Sequence, residues 1–204
     1  MLAFCDAIFA MLAQMSPWEA LAVALAIAYL LLAMRESLWC WCCAFISTAI
    51  YTFIFWDVSL LMQSGLNVFY MAMAVYGWWQ WRKGGARHQG VAIHRWRPVA
   101  HIQVISLILL VTLISGYLLA ENTQAVWPYV DAFTTWASVV TTWMVARKVL
   151  ENWLYWIVID LVSAVLYFDR ELYLTALLFS VYVVIVIFGY FSWKKHEHSI
   201  AAQA

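Results

Sequence analysis

Runs of apolar residues fill most of this chain, and short charged or turn-forming stretches separate one run from the next. A helix that crosses a lipid bilayer needs about 20 predominantly apolar residues. Seven runs are close to that length and cover residues 18–34, 38–56, 59–80, 99–119, 129–146, 152–168 and 172–192. The pattern therefore predicts an all-α polytopic membrane protein with seven transmembrane helices.

The residues before the first run differ from it. Residues 1–16 are apolar, but the stretch is too short to span a bilayer, and Asp6 interrupts it. It also lacks the Lys or Arg that opens a signal peptide, so we expect an interfacial helix here rather than a cleaved leader. Ser16 and Glu19, with Pro17 between them, have the pattern of a helix start with a capping box.

The composition excludes several classes of protein. Apolar residues make up 67% and charged residues 11% of the chain, whereas soluble domains have about 45–50% and about 25%. The 11 Lys and Arg balance the 11 Asp and Glu, so no bulk charge attracts the chain to phosphate. We therefore expect a lipid bilayer around the protein and no nucleic acid partner.

The basic residues collect on one side of the predicted bundle. If the seven runs alternate in direction, ten of the 11 Lys and Arg fall on a single side, and Arg170 is the exception. Basic residues mark the cytoplasmic side of membrane proteins. The N-terminus is therefore predicted outside and the C-terminus in the cytoplasm, which agrees with an odd number of spans.

The chain contains an internal repeat. Residues 35–83 align with residues 147–195 at a constant offset of 112, without a gap, and ten of the 49 positions are identical. Identities at tryptophan and glycine are less expected by chance than identities at leucine in so apolar a chain. The identities other than leucine pair Arg35 with Arg147, Trp41 with Trp153, Asp57 with Asp169, Tyr70 with Tyr182, Gly77 with Gly189, Trp81 with Trp193 and Lys83 with Lys195.

The repeat predicts two copies of three spans with one span between them. Repeat 1 covers residues 17–83 and repeat 2 covers 121–195, while 84–120 form a basic cytoplasmic loop and a linker span, and 196–204 a cytoplasmic tail. Three spans and one linker bring the second repeat into the membrane in the same sense as the first. Such parallel repeats are the plan of the SWEET carriers, with the substrate near the midplane. Transport is the expected function, although a duplication that only supplied a stable bundle would leave the same pattern.

One face of the third span is polar. Gln63, Asn67 and Tyr70 share this face, because their spacing follows the helix period. Their amide and phenol groups offer donors and acceptors suited to sugar hydroxyls. Amides also hydrogen-bond between membrane helices, so helix pairing is the alternative.

One face of the sixth span carries Trp153, Trp156 and Asp160. Asp160 is the one acidic residue well inside any predicted span, and a carboxylate there costs about 2.5–3.5 kcal/mol on insertion scales. Tryptophan faces attract cations, by up to about 2 kcal/mol in dry surroundings. The three residues together indicate a site for an aromatic or cationic group, while the alternative for Trp153 alone is a place in the interfacial aromatic belt.

No catalytic set of residues lies at depth in the predicted membrane. The five histidines fall in or near the basic loop and in the tail, so no Ser-His-Asp or Cys-His arrangement is available at depth. We therefore expect neither an enzyme nor a bound metal or other cofactor. A structural or accessory membrane subunit would explain the apolar bulk but not the two polar faces.

Motifs on these two faces resemble those of the PnuC transporters of nicotinamide riboside. The W-x-x-W signature of that family resembles ENWLYW at residues 151–156, which Asp160 and Tyr167 follow. Its N-x-x-Y signature resembles NVFY at residues 67–70. The resemblance extends over roughly residues 18–195, and the motifs fall on the third and sixth of the predicted spans.

The resemblance implies uptake of nicotinamide riboside across the bacterial inner membrane by facilitated diffusion. It also implies a homotrimer and a cytoplasmic nicotinamide riboside kinase that traps the substrate. By motif, Trp153 and Trp156 would flank the pyridinium ring. Asn67 and Tyr70 would hold the ribose hydroxyls. Gln63 and Asp160 join this predicted site on spacing and burial alone.

Alternatives stay open for the transport. A SWEET-type carrier of a sugar or other small polar solute shares the repeat plan but leaves Asp160 without a role. A proton-coupled carrier would use Asp160 for the coupling. Gly77 and Gly189, near the inner ends of the third and seventh spans, are either hinges between moving repeats or points of close helix packing.

Overall fold

The structure is a computed structural model that describes only part of the chain. It covers residues 16–57, 61–85, 88–123, 126–170 and 172–201, and of residues 61–63, 200 and 201 it describes the backbone alone. The interfacial helix predicted for residues 1–16 lies outside these residues, apart from Ser16.

Seven α-helices make up most of the described chain. They are α1 (Pro17–Met34), α2 (Trp39–Asp57), α3 (Leu61–Lys83), α4 (Pro98–Asn122), α5 (Pro128–Ala146), α6 (Asn152–Asp169) and α7 (Tyr173–Ala201). No strand occurs among the described residues, where extended chain pairs only in a single parallel bridge between His94 and Val149. The all-helical class is confirmed, with one helix at each predicted span.

Five of these helices, α1, α2, α4, α6 and α7, are long and apolar enough to cross a membrane, judged by length and composition within the described residues. The other two helices, α3 and α5, contain polar residues such as Asn67 and Gln80 in α3 and Asp131 in α5. α3 and α5 pack against each other. The two helices outside the apolar set therefore share an interface inside the bundle.

Prolines begin three of the helices. Pro17, Pro98 and Pro128 occupy the first turn of α1, α4 and α5, where a residue without an N–H loses no helical hydrogen bond. Ser16 caps α1, because its hydroxyl accepts a hydrogen bond from the Glu19 N–H over 3.1 Å. The helix start predicted at Ser16 is thereby confirmed.

The last helix is longer than the apolar run predicted at residues 172–192. It continues to Ala201, so the residues predicted as a tail, 196–204, begin inside it. Hydropathy falls at Lys194 and Lys195, but lysine, glutamate and alanine are good helix formers. The end of an apolar run therefore marks the end of the membrane-facing segment rather than the end of the helix.

Two turns at one end of the bundle have the same conformation. This end, the basic end, carries Arg35, Lys83, Arg147 and Lys194. Glu36 follows α1 and Lys148 follows α5, each with a φ of 54°, the left-handed conformation that closes many helices. In both turns the next N–H donates back to a helix carbonyl over 3.0 Å. Because Glu36 and Lys148 are 112 positions apart, the two turns are equivalent in the sequence repeat.

The helix contacts keep the same pattern when the two halves of the chain are exchanged. In the first half, α1–α3, the middle helix α2 contacts both neighbours, and α6 does the same in the second half, α5–α7. Between the halves, α1 contacts α7, and α3 contacts α5. Each half thus places its first helix against the last helix of the other, while α4 packs on α5.

The chain between α3 and α4 is attached to the basic end. The His94 N–H donates to the Lys148 carbonyl over 3.1 Å, and the His94 carbonyl accepts from the Leu150 N–H over 2.9 Å. Arg95 makes a bidentate ion pair with Glu197 of α7, with a shortest contact of 2.7 Å. The Glu197 carboxylate, which accepts these hydrogen bonds, raises the pKa of the Arg95 guanidinium. This segment is therefore fixed to the turn at Lys148 and to helix α7, both in the second half.

Candidate functional site

Asp160 is a buried carboxylate in the middle of α6. Only 3% of the residue is exposed. In the described part of the chain, no Lys, Arg or His forms an ion pair with Asp160, and no donor bonds to its carboxylate. Buried carboxylates are normally paired, because an isolated charge is costly away from water. Asp160 is therefore suited to meet a cation that comes from outside the chain.

One tyrosine of the second half lies near both Asp160 and a tyrosine of the first half. Tyr182 of α7 lies within electrostatic range of both Asp160 and Tyr51 of α2. Helices α2 and α7 do not pack against each other in the described residues. Tyr182 therefore lies near Asp160 and, across the boundary between the halves, near Tyr51.

Neither of these tyrosines was singled out in the sequence analysis. Tyr182 is the repeat equivalent of Tyr70, so the repeat alignment already contained a signal for it. Tyr51 aligns with Ser163, and no pattern in the sequence distinguishes it from the other aromatic residues. Only the arrangement of α2 and α7 brings Tyr51 near Tyr182.

The polar face predicted on the third span lies at the boundary between the halves. Asn67 is buried, with 9% exposed. The Tyr70 side chain lies near the Ser138 side chain on α5 and near Tyr29 on α1. Gln63 lies in the first turn of α3, and its side chain is outside the described residues. The polar face of α3 therefore contacts the second half of the chain. Substrate binding between the halves and pairing of the helices both require this contact.

The two tryptophans of the α6 motif have different surroundings. Trp153 is 1% exposed, and its ring lies 5.3 Å from that of Trp193 in an apolar cluster at the basic end. Trp156 is half-buried, and it packs against the edge of this cluster and against a second apolar cluster. Asp160 is one helical turn beyond Trp156, but it is about 10 Å along the helix axis from Trp153. Along α6, Trp156 is therefore nearer to Asp160 than Trp153 is.

Two apolar grooves are lined by none of the six predicted site residues. One, of about 350 Å³, is lined by α2 and α3, with Phe45 and Trp78 among its residues. The other, of about 290 Å³, is lined by α4, α5 and α6, with Leu154 and Tyr155 among its residues. Phe45 and Leu154 are exposed, as expected for surfaces that face lipid tails.

Comparison with known proteins gives relatives over most of the chain. The profile of the family described as "Nicotinamide mononucleotide transporter" matches residues 16–195. The chain is 24% identical over 184 residues to the "Nicotinamide riboside transporter PnuC" of Escherichia coli (strain K12), which covers 78% of this chain and 77% of that protein. It is 27% identical over 167 residues to the "Riboflavin/roseoflavin transporter RibM" of Streptomyces davaonensis, which covers 80% of this chain and 78% of that protein.

A solved structure has the same fold. It is described as "Crystal structure of the Vitamin B3 transporter PnuC", and it superposes with a TM-score of 0.69 over 95% of this chain and 88% of that chain. The two sequences are 18% identical in this superposition. At that identity the likeness establishes a shared helical fold.

Proposed function

The chain belongs to the nicotinamide mononucleotide transporter family, which confirms the PnuC resemblance of its motifs, and from this premise we propose that it is a membrane carrier of nicotinamide riboside. It is a multi-pass membrane protein of a bacterial transporter family. The observation that supports this choice of substrate is Asp160, a carboxylate that is buried and has no cation partner among the described residues.

The names of the family and of its relatives mention substrates that differ in charge. Nicotinamide riboside carries a cationic pyridinium ring, its mononucleotide adds a phosphate, and the riboflavin ring is neutral at pH 7. A buried carboxylate attracts the cationic ring, repels the phosphate and gains no charge interaction with a neutral ring. Charge complementarity therefore favours the riboside.

We assign the two parts of the substrate to two sets of residues. Asp160 neutralises the pyridinium ring, and Trp156 and Tyr182 supply aromatic surface beside it. Asn67 and Tyr70, with Gln63 one turn before them, hydrogen-bond the ribose hydroxyls. Tyr70 lies near Ser138, and Tyr182 lies near Tyr51. Both pairs join residues of different halves, which supports a site between the halves.

We place Trp153 outside the substrate site, although the motif carries it over as a ring partner. Its side chain is enclosed by other tryptophans and by Gly189. A ring with 1% exposure has no free face for a substrate. Trp156, which is half-buried and one turn from Asp160, is the better candidate.

The proposed mechanism is alternating access by two parallel repeats of three spans, with α4 as the linker. The support is the contact pattern, which is unchanged when the halves are exchanged. Rocking of the repeats exposes one central site to each side of the membrane in turn. We further propose a homotrimer on the resemblance to the family.

In this proposal the riboside enters the bacterium down its own gradient. The basic end faces the cytoplasm, with the N-terminus outside and the C-terminus inside. A cytoplasmic nicotinamide riboside kinase then adds a phosphate to the substrate. An anionic product is too costly to return past a buried carboxylate and apolar walls, so the product accumulates.

Calorimetric binding to the detergent-purified protein tests the substrate. We expect saturable binding of nicotinamide riboside and none of its mononucleotide, riboflavin or a hexose. The Asp160→Asn variant should bind the riboside about 10- to 150-fold more weakly, since an interaction with a charged group contributes about 1.5–3 kcal/mol. The Asp57→Asn variant is the control, because Asp57 is exposed at the end of α2 and should leave binding unchanged.

Other outcomes would point to other substrates. Riboflavin binding without riboside binding would favour a riboflavin carrier, the second candidate, which the 27% identity to RibM supports. Hexose binding alone would favour a sugar carrier. Repeating the titration at several pH values separates the two roles of Asp160. A counter-ion predicts weaker binding by Asp160→Asn at every pH, whereas proton coupling predicts that the variant loses its pH dependence.

A further inference from the structure

Glu36 and Lys148 form an ion pair that joins the two halves at the basic end. The Lys148 Nζ lies 2.7 Å from the Glu36 Oε2, and the two side chains are 11% and 14% exposed. His196 of α7 also contacts the Glu36 carboxylate. Glu36 and Lys148 are repeat equivalents, 112 positions apart. Under two-fold symmetry a residue contacts its own equivalent only near the axis. The ion pair therefore marks the pseudo-two-fold axis between the halves.

Four tryptophans lie next to this ion pair, and together they form the tryptophan cluster: Trp41, Trp81, Trp153 and Trp193. Trp81 and Trp193 are again repeat equivalents, and their ring centroids are 5.9 Å apart. Within each half, a second tryptophan packs edge-on at 5.3 Å, Trp41 against Trp81 and Trp153 against Trp193. The Lys148 Nζ lies 4.7 Å from the Trp81 ring, so the ion pair and the cluster are continuous.

Two equivalent hydrogen bonds cross between the halves within this cluster. The Trp81 Nε1–H donates to the Val145 carbonyl over 3.2 Å, and the Trp193 Nε1–H donates to the Ala33 carbonyl over 3.0 Å. All four rings are buried, none more than 6% exposed. While these contacts hold, the four rings around the axis block the passage of a substrate between the halves at the basic end.

The contacts at the axis are of a kind that can separate. In the described residues, the buried Nε1–H groups of Trp41 and Trp153 have no acceptor, and a buried donor without an acceptor destabilises the closed arrangement. The two charged side chains regain hydration when they separate, so the ion pair favours the closed arrangement by only a modest amount. An interface held by such a contact parts at modest cost, as a moving boundary requires.

We propose that the Glu36–Lys148 ion pair and the tryptophan cluster are the gate that closes the transport path at the basic end, and that they separate once in each transport cycle. The proposal rests on the proposed carrier function. It gives Trp153 a role in gating rather than in binding the substrate ring.

The native thiol of Cys40 reports on this gate without any substrate. Cys40 is fully buried in the same apolar cluster as the four tryptophans, so a reagent reaches it only when the cluster opens. The protein is reconstituted in liposomes with Cys40 as its single cysteine, after Ala replaces Cys5, Cys42 and Cys43. The measured quantity is the rate at which a water-soluble maleimide labels Cys40.

The double variant Glu36→Gln/Lys148→Met removes the ion pair without leaving an unpaired charge. Labelling should become roughly tenfold faster, which corresponds to a loss of about 1.4 kcal/mol of closing free energy. The control Arg95→Gln/Glu197→Gln removes another 2.7 Å ion pair at the same end, away from the axis, and should leave the rate unchanged. The gate proposal would be wrong if Cys40 were labelled at an unchanged rate in Glu36→Gln/Lys148→Met. It would also be wrong if the labelling rate rose only as the unfolding temperature of the variant fell.

Cross-linking then asks whether the gate must open for transport. In a background without native cysteines, Glu36→Cys and Lys148→Cys are joined by a short reducible thiol cross-linker. Riboside binding should persist, uptake into proteoliposomes should stop, and a reductant should restore it. Uptake by fully cross-linked protein would show that the ion pair is a fixed pivot, and the gate proposal would fail. A protein that never takes up the riboside would instead contradict the proposed function, and Cys40 labelling would still decide the gate.

Discussion

At the scale of the residue, the same side chain serves different purposes according to what other helices place against it. Trp153 and Trp156 belong to one motif, but Trp153 is enclosed in the tryptophan cluster, while Trp156 remains half-buried near Asp160. The sequence predicts that both share a helix face with Asp160. It does not predict that a glycine on α7 receives the Trp153 ring, because that contact depends on how α6 and α7 pack.

The two repeat-equivalent glycines are points of close packing. A Cβ atom on Gly77 would lie 2.3 Å from the Trp41 ring, and one on Gly189 would lie 2.5 Å from the Trp153 ring. We expect Gly77→Ala and Gly189→Ala each to lower the free energy of unfolding by roughly 1–3 kcal/mol, because the ring or the helix must move. Thermal unfolding in detergent measures this.

A third glycine gives the matched control. A Cβ atom on Gly65 would meet no heavy atom within 4 Å, so Gly65→Ala should stabilise the protein by about 0.5–1 kcal/mol, since alanine favours a helix over glycine. If all three variants unfolded at the same temperature, the close-packing interpretation would be wrong. A hinge role for Gly77 and Gly189 would instead change the uptake rate at constant stability.

At the scale of the element, the helices follow from local sequence, and the turns show the repeat most directly. Ser16 and Pro17 begin α1 where the sequence indicated a helix start, and Pro98 and Pro128 likewise begin α4 and α5. The turns at Glu36 and Lys148 have the same φ although their residues carry opposite charges. Opposite charges at equivalent positions near an axis can pair with each other, which like charges could not do.

This equivalence predicts the result of exchanging the two charges. Glu36→Lys alone, or Lys148→Glu alone, places two like charges at the axis and should lower the free energy of unfolding by up to about 3–5 kcal/mol. The exchanged double variant restores an ion pair in mirrored order, so it should recover most of that loss, apart from the contact with His196. Unfolding and riboside uptake are measured on all three proteins. A double variant as unstable as the single ones would show that the two turns are not equivalent.

At the scale of the whole molecule, the surface suits a lipid bilayer. The interior contains two separate polar regions, one at Asp160 and one at the Glu36–Lys148 ion pair. Large apolar side chains such as Phe53, Val165 and Phe188 are exposed. Asp160 lies in the middle of α6, away from the basic end. The ion pair and the tryptophan cluster close the basic end of the bundle. A carrier that binds at mid-depth and opens at one end at a time needs this separation.

The proposed homotrimer concerns the assembly of whole chains. We expect the detergent-purified protein to show a protein mass of three times the 23.6 kDa chain when the detergent contribution is subtracted in a light-scattering measurement. A trimer presents matching apolar surfaces between copies in place of lipid contacts. A mass of one chain under conditions that preserve riboside binding would contradict the trimer.

Much of the architecture and part of the site could be predicted from the sequence. Apolar runs specify helices because the bilayer requires every backbone group to bond within its own helix. The offset of 112 pointed to the repeat, and the cost of a carboxylate in an apolar span singled out Asp160. Tyr51 and the gate at Glu36 and Lys148 could not be predicted, because they depend on contacts between residues far apart in the chain.

The sequence by itself determined the helical class, the seven helices of the described residues and which helix faces are polar, since these follow from local hydropathy and the helix period. The tertiary structure decided which polar residues meet. It paired Glu36 with Lys148, enclosed Trp153, and brought Tyr182 near both Asp160 and Tyr51. The physical reason is that lipid tails are as apolar as the helix surfaces, so membrane helices are arranged by close packing and a few polar contacts, and neither is encoded in any single run of residues.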